Sequence, residues 1–363
     1  MRKRFLLAFV VGLLGMAMGL FAGASPNPPG LARAIEVQEA HTDALMAITG
    51  VVGTAVGRSA GGAPVVLALT EEPGVVGIPT ALDGVAVQTR VIGKIVALNR
   101  PDADGNHDHG TDDGSTGLGS VGGSSGTDRL ITIGPDLFCT VGTLGARVKD
   151  NAGNVYALSN AHVYALEGST PFGGPVAKGP TGDRILQPGR VDLSPGCGTA
   201  TERDAAVIGN LADFVQLNFE LGSVNTVDAA IASTTTELVG NATPSDGYGT
   251  PKSTTITAFV NQKVKKYGRT TGQTKGQVIA INATVDVGYD SGVARFVGQI
   301  IISPGAFSAG GDSGSLIVVD GKGRNKSDDR KPVGLLFAGS QFTTIANPID
   351  LVLGSFGVTV DGE

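Results

Sequence analysis

A serine in a glycine-rich stretch is the first residue of this chain whose surroundings suggest chemistry. Residues 309–316 read AGGDSGSL, and the small residues on both sides leave the hydroxyl of Ser313 exposed on a backbone that can turn tightly. A serine hydroxyl is a weak nucleophile unless a neighbouring base takes its proton. Ser313 is therefore the candidate nucleophile, provided that a histidine and an acid can reach it.

All four histidines of the chain, His41, His107, His109 and His162, precede Ser313. This order excludes the α/β-hydrolase arrangement, in which the histidine follows the serine. One of the four, His162, follows an apolar segment in the sequence LSNAHV, which predicts a ring presented at the end of a strand. His162 is the candidate general base.

Asp228 is the candidate acid. It lies in the sequence NTVDAAIA, where a carboxylate is costly to bury unless other groups hydrogen-bond to it. We expect Asp228 to hold the tautomer of His162 and to stabilise the imidazolium that forms. The three candidates are far apart in the sequence, so they can meet only through folding.

The N-terminus predicts export. Basic residues at 2–4 precede an apolar run over 5–21 and the small residues AGA at 22–24, the pattern of a secretory signal peptide over residues 1–24. An uncleaved membrane anchor is the alternative, but the small-residue cleavage site favours a secreted, extracellular protein. In that oxidising compartment the only two cysteines, Cys139 and Cys197, are expected to form a disulfide.

Composition narrows the class of protein further. The chain of 363 residues has a formal net charge of −6, 56 glycines and no tryptophan. An acidic chain without basic clusters is not expected to bind nucleic acid, nor a membrane once the signal is removed. Two cysteines cannot build a structural zinc site by themselves, and no metal or other cofactor is predicted. Short Val, Ile and Thr runs between glycine turns predict a β-rich fold.

Residues 25–100 have the pattern of a small α+β domain. An amphipathic helix is predicted over residues 31–48, followed by three or four short apolar segments that we expect to pair as antiparallel strands. This part carries no obvious chemistry. Its role as a folding aid, an intramolecular inhibitor or a targeting module stays open.

Residues 101–129, rich in Asp, Gly and Ser, predict a linker. Its acidic residues resemble a calcium loop, but His107 stands where such a loop needs glycine, so a solvated tether is favoured. From residue 130 to 363, about a dozen short strands favour a pair of antiparallel barrels or a sandwich. A C-terminal helix is predicted from residue 347 onward.

Four local motifs, in this order, resemble the chymotrypsin-like serine endopeptidases, most of all their secreted bacterial branch of the alpha-lytic protease and streptogrisin type. They are NAH at 160–162, Asp228, YGRTTG at 267–272 and GDSG at 311–314. The resemblance covers residues 130–363 and implies an all-β fold of two antiparallel β-barrels. It also implies a zymogen whose N-terminal domain is a pro-region, and peptide-bond hydrolysis through a Ser-His-Asp triad and an acyl-enzyme.

The resemblance also assigns roles around the triad. Gly311 and Ser313 would supply the backbone N–H donors of an oxyanion hole. The edge strand that contains Phe337 and Gly339 would pair with an extended polypeptide substrate, and Phe307 would lie near the base of the first specificity pocket. Since no acid stands at that place, an apolar or small side chain before the scissile bond is expected.

The resemblance leaves several alternatives open. Either Lys266 or Arg269 would pair with Asp312, which is favoured over pairing with a new N-terminus cut near residues 128–134. The family often has a cysteine directly after its histidine, where this chain has Val163. A catalytically inactive protein that keeps the barrels for binding, or an esterase on the same barrels, would carry the same motifs.

Overall fold

The computed structural model describes residues 29–98, 119–133, 136–168, 176–193 and 197–363. The signal-peptide region and most of the linker, with its acidic residues, His107 and His109, lie outside the described residues. Within the described ranges, no helix is both long and apolar enough to cross a membrane.

The C-terminal half forms a closed six-stranded barrel. Its strands are β15 (Lys263–Gly268), β16 (Gly272–Tyr289), β17 (Gly292–Ser303), β18 (Leu316–Val319), β19 (Pro332–Gly339) and β20 (Thr344–Pro348). The ring closes because β15 pairs with both β16 and β18, and every pair in the ring is antiparallel. Alternate apolar side chains fill the interior, including Val264, Ile302 and Phe307.

The preceding part of the chain forms a second curled sheet, also antiparallel. It contains β6 (Ser124–Thr127), β9 (Gly142–Thr143), β10 (Ala146–Asp150), β11 (Val155–Ser159), β12 (Arg184–Leu186), β13 (Val207–Phe214) and β14 (Ala230–Thr234), with the hairpin of β7 (Ile131–Ile133) and β8 (Asp136–Phe138) beside it and the helices α2 (Ala161–Tyr164) and α3 (Ala200–Ala205) in its connections. After β20, the predicted C-terminal helix is α4 (Ile349–Phe356), and β21 (Val358–Val360) returns to pair with β10. The predicted all-β double barrel is confirmed.

The N-terminal part has the expected α+β composition but extends the sheet of the C-terminal barrel. It contains α1 (Leu31–Met46), β1 (Val51–Arg58), β2 (Pro64–Thr70), β3 (Ala81–Leu82), β4 (Val85–Val91) and β5 (Val96–Ala97). Strand β1 pairs with β16, and β5 reaches both β16 and β19. The expectation of purely antiparallel strands is wrong for β2 and β4, which pair in parallel because residues 71–84 carry the chain back before β4 begins.

The end of the predicted linker also differs. Residues 119–129 were assigned to a solvated tether, but β6 lies within them and pairs with β9 and β12. Ser124 and Ser125 are buried there, and the Ser125 hydroxyl donates to the Leu186 carbonyl at 2.9 Å. Small polar residues thus form a barrel strand because their buried hydroxyls are hydrogen-bonded within the protein. The polar composition of this segment did not indicate a buried strand.

One apolar cluster joins the N-terminal part to the barrel. It combines Leu67, Leu69 and Ile92 with side chains of the C-terminal barrel such as Phe296 and Ile301. A buried polar contact adds to it: the Gln38 side chain on α1 donates to Thr54 on β1 at 2.7 Å and accepts from Asn282 on β16 at 2.8 Å. The two parts therefore share their core.

We predict that Leu69→Ala destabilises both parts together. Leu69 is fully buried in the shared cluster, so its truncation should lower the free energy of unfolding by about 2–5 kcal/mol. Urea unfolding followed by circular dichroism should show one transition at lower denaturant concentration. Val76→Ala is the control, since that side chain is 84% exposed. Two transitions, of which only one moves, would contradict a shared core.

Candidate functional site

His162 lies at the junction of the two barrels, directly after β11. The strand ends at Ser159, and the single turn of α2 carries His162 with its side chain fully buried. The preceding Asn160 ties this turn to the acid, because its side-chain amide donates to the Asp228 carbonyl at 2.7 Å. His162 therefore follows a strand end, as expected, but it is fully buried rather than presented at an open loop.

The Asp228 carboxylate is fully buried and accepts several hydrogen bonds. His162 Nδ1 hydrogen-bonds to Oδ2, and the His162 backbone N–H donates to Oδ1 at 3.2 Å. The Tyr289 hydroxyl also donates to Oδ2, at 2.9 Å, and the Asn347 side chain accepts from the Asp228 backbone N–H at 3.0 Å. A buried carboxylate needs such donors, and here they fix the orientation of the His162 ring as well.

Ser313 lies in a tight turn that packs against the first barrel. The residue is fully buried in this structure, so the expectation of an exposed hydroxyl is wrong. Its carbonyl accepts from the Thr143 N–H at 2.7 Å. A Cβ on Gly142 would come within 2.8 Å of both that carbonyl and the Val163 side chain. Only glycine therefore leaves room at residue 142 for the turn of Ser313 on one side and for Val163 of α2 on the other.

The hydroxyl of Ser313 is not hydrogen-bonded to His162 in this structure. Ser313 Oγ donates to the Phe337 carbonyl at 3.2 Å, and His162 Nε2 is buried with no hydrogen-bond partner among the described residues. The structure therefore joins two of the three candidates directly. The third candidate, Ser313, lies in the adjoining turn, and its hydroxyl proton is directed to the Phe337 carbonyl. Such contacts are often long or misaligned before a substrate complex forms.

Gly311 adopts the left-handed backbone conformation, with φ of +91°. A Cβ at this position would lie 2.4 Å from Thr270 Oγ1, so glycine is required for space as well. Thr143 Oγ1 donates to the Gly311 carbonyl at 2.9 Å, which directs the adjoining peptide groups. The Gly311 N–H donates to the carbonyl of Leu98 at 2.6 Å. Gly311 is thus a backbone donor to a peptide carbonyl of the N-terminal part.

A buried ion pair supports the serine turn from below. Lys266 Nζ lies 3.1 Å from Asp312 Oδ2, and both side chains are fully buried. Burial lowers the pKa of Lys266, and the charge of Asp312 opposes that shift. Of the two cations considered for Asp312, Lys266 is the partner, whereas Arg269 pairs with Asp192.

The proposed substrate-binding residues lie along β19 and below it. The Phe337 side chain is buried in the core, with its ring centroid 4.7 Å from that of Phe296, and its backbone carbonyl accepts from Ser313 Oγ and from the Leu98 N–H. Phe307 is fully buried in the apolar cluster against which the Leu98 side chain packs. Gly339 keeps space for that side chain, because a Cβ there would come within 3.3 Å of Leu98 Cδ1.

Two residues beside the triad candidates were missed by the sequence analysis. Tyr289 ends β16, and its ring lies edge-on to the His162 ring at 5.9 Å between centroids. Burial and the Asp228 carboxylate raise the pKa of Tyr289 well above its ordinary value, so its hydroxyl keeps the proton that it donates. Glu167, also buried, accepts from the Asp290 and Ser291 N–H groups and so anchors the turn after Tyr289. Neither residue has a sequence motif.

The disulfide expectation is confirmed. Cys139 and Cys197 are bonded, with their Cα atoms 5.9 Å apart. His41, the histidine of the N-terminal helix, lies away from this site and pairs with Asp83 at 2.9 Å.

Comparison with protein families gives one match. Residues 221–346 match the family described as the Nal1 C-terminal domain, a range shorter than half of the chain that includes Asp228 and Ser313 but not His162. No curated protein matches the sequence.

Solved structures of bacterial chymotrypsin-like serine proteases are similar to this chain. Protease A of Thermobifida fusca is 17% identical, with a TM-score of 0.41, over 67% of this chain and 98% of that one. The chymotrypsin of Cellulomonas bogoriensis is 18% identical, with a TM-score of 0.38, over 67% and 98%. A glutamic acid specific serine protease is 20% identical, with a TM-score of 0.40, over 66% and 98%. At such values the likeness concerns the fold, and the chemistry of the site rests on its own geometry.

We predict that Tyr289→Phe slows the reaction of Ser313 with a fluorophosphonate by about tenfold, because a hydrogen bond to a buried charge is worth roughly 1.5–3 kcal/mol. Tyr156→Phe is the matched control, since Tyr156 donates to Asp150 at 3.2 Å away from the site. Both variants should keep the wild-type fold by circular dichroism. An unchanged labelling rate in Tyr289→Phe would show that this hydroxyl does not position the triad candidates.

We predict that Glu167→Gln changes the pH dependence of stability. Burial raises the pKa of Glu167, so the folded state binds its proton more tightly than the unfolded chain does. The wild type therefore loses stability relative to Glu167→Gln as the pH rises from about 4.3 through the raised pKa. Urea unfolding at pH 4 and pH 7.5 measures this difference, with the exposed Glu72→Gln as the control. A wild type that gains on the variant over this range would contradict the sign.

Proposed function

We propose that this protein is a secreted serine endopeptidase that hydrolyses peptide bonds through Ser313, His162 and Asp228. The observation that carries the proposal is the hydrogen bond from the Gly311 N–H to a peptide carbonyl beside Ser313. A donor aimed at the carbonyl that a nucleophile attacks is the requirement for stabilising an oxyanion.

In this proposal Ser313 Oγ attacks the carbonyl carbon while its proton passes to His162 Nε2, which has no hydrogen-bond partner among the described residues. For this step the Ser313 hydroxyl gives up its hydrogen bond to the Phe337 carbonyl. Asp228 keeps the proton of the neutral ring on Nδ1 and stabilises the imidazolium. The Gly311 and Ser313 N–H groups would bind the oxyanion, and His162 then protonates the leaving amine. Water releases the acyl group by the reverse sequence of proton transfers.

The pocket supports a preference for an apolar side chain before the scissile bond. Phe307 lies within an apolar cluster, and an apolar side chain, that of Leu98, packs against this cluster beside Gly339. The partner is then a polypeptide that pairs with β19 in an extended conformation. The signal-like residues 1–24 support export. The acidic composition argues against nucleic acid or a membrane as a partner.

A second candidate is a protein that keeps the fold for binding and has lost turnover. The specific observation in its favour is that Ser313 donates to Phe337 rather than to His162. The presence of all three triad side chains and of the Gly311 donor favours the enzyme.

We predict that a fluorophosphonate labels the wild type and fails to label Ser313→Ala. Asp228→Asn should retain the fold and lower turnover by about 10³–10⁴-fold, because the ring of His162 would then be held in the wrong tautomer. Gel fluorescence and release of an apolar peptide anilide measure the two effects. Ser355→Ala, on the exposed face of α4, is the control and should behave as wild type. A wild type that neither labels nor turns over substrate would favour the binding protein.

A further inference from the structure

Residues 166–168 form a strained backbone turn soon after the helix α2 that carries His162. Leu166 and Glu167 both adopt the left-handed conformation, with φ of +45° and +62°, and Gly168 follows with φ of +66°. Residues other than glycine rarely adopt this conformation, and it persists only where the surrounding structure requires it. Leu166 and Glu167 are both buried, so the turn brings an acidic residue into the interior.

The Glu167 carboxylate binds the turn that joins β16 to β17. Its Oε1 accepts from the Asp290 N–H at 3.2 Å, and its Oε2 accepts from the Ser291 N–H at 3.1 Å. These two residues lie between Tyr289 and Gly292, which are paired as the ends of the two strands. Successive N–H groups in a turn form a concave site for an anion, and here the anion is a side chain of the same protein.

Tyr289 directly precedes this turn and reaches the candidate acid. Its hydroxyl donates to Asp228 Oδ2 at 2.9 Å, and the same oxygen hydrogen-bonds to His162 Nδ1. The Tyr289 ring also lies edge-on to the rings of His162 and Phe219, with centroids 5.9 Å and 5.7 Å away. The contact with Asp228 therefore depends on where the end of the β16–β17 hairpin is held.

The end of this hairpin extends past the neighbouring strands. Strand β1 pairs with β16 as far as Val285, which lies opposite Gly53, and β20 pairs with β17 from Ile300 to Ile302. Tyr289 lies beyond both ladders, where within the described ranges the hairpin is two-stranded apart from isolated bridges on either side. A two-stranded hairpin is marginally stable by itself, so a contact at its turn decides where Tyr289 lies.

We propose that Glu167 is a positioning residue for the reaction and that it acts through Tyr289, because it holds the turn that keeps the tyrosine hydroxyl on Asp228. This proposal rests on the proposed function and adds a residue to the same site. Glu167 binds the turn and Tyr289 binds Asp228, so the effect of Glu167 on His162 passes through two intermediate contacts.

The proposed route limits how much Glu167 can contribute. If Glu167 acts through the Tyr289 hydroxyl, its loss can slow the reaction by no more than the loss of that hydroxyl does. Replacement of Glu167 by alanine removes both acceptors of the turn. Replacement by glutamine keeps one acceptor oxygen but places an NH₂ group against the second N–H, so its effect should be intermediate.

The test measures fluorophosphonate labelling of four full-length forms: wild type, Tyr289→Phe, Glu167→Ala and the double variant. Tyr289→Phe should label about tenfold more slowly than wild type, and Glu167→Ala about three- to tenfold more slowly. The double variant should label at the rate of Tyr289→Phe alone, because residues that act in one series of contacts are not additive. Independent residues would instead multiply their effects, to a loss of about thirty- to a hundredfold.

Turnover of an apolar peptide anilide gives a second readout. Glu167→Ala should lower kcat and leave KM within about twofold of wild type, since Glu167 binds the hairpin turn and not the substrate. Glu167→Gln should lie between wild type and Glu167→Ala, and it takes the place of Glu167→Ala in the cycle if circular dichroism shows that the alanine variant does not fold.

Val360→Ala is the control for a general loss of stability. Val360 is fully buried on β21, which pairs with β10 and not with the hairpin. Its truncation should lower the urea concentration at the midpoint of unfolding, because it leaves a small cavity in the core. Labelling, kcat and KM of the folded variant should remain those of wild type.

The outcomes separate this inference from the proposed function. A wild type that labels, with a double variant slowed by the product of the two single effects, would overturn the inference alone. The same holds for a folded Glu167 variant that labels as wild type or changes mainly in KM, and for a Val360→Ala control that is slowed as much as Glu167→Ala. Absence of labelling in both wild type and Val360→Ala would overturn the proposed function, and the inference with it.

Discussion

The buried carboxylate of Asp228 is the constraint on which the arrangement of the site depends. A negative charge without solvent requires several donors, and the chain supplies them from separated elements. The ring and backbone of His162 come from the first barrel, and the Tyr289 hydroxyl comes from a strand of the second. Satisfying this one charge therefore fixes the histidine and also the contact between the two barrels.

The serine turn depends on a second buried charge. Asp312 accepts from the backbone of Thr270 and Thr271 and pairs with Lys266, which lies on β15. This network holds the backbone segment in which Gly311 has its left-handed conformation. The Gly311 N–H is directed to the Leu98 carbonyl. Ser313 and Gly311 thus share one support, whereas His162 and Asp228 have another. The hydroxyl of Ser313 lies between the two supports, with its hydrogen bond to Phe337 as the resting contact.

The N-terminal part adds strands to the sheet of the C-terminal barrel. Its strand β1 lies beside β16, the strand that ends in Tyr289, and β5 contacts both β16 and β19. The same pairing that lends core to the N-terminal part also delivers Leu98 to Gly311.

Local sequence patterns were sufficient for the residue types of the site and for the class of fold. Small residues around Ser313, the strand-end position of His162 and the apolar neighbours of Asp228 are properties of a few consecutive residues, and strand periodicity predicted the barrels. Only the tertiary structure decided that Tyr289 and Glu167 support Asp228 and its neighbours, that Lys266 rather than Arg269 pairs with Asp312, and that the Leu98 carbonyl accepts from the Gly311 N–H. The physical reason is that these contacts join residues far apart in the chain, and a hydrogen bond between distant residues leaves no periodicity or motif in the sequence around either one.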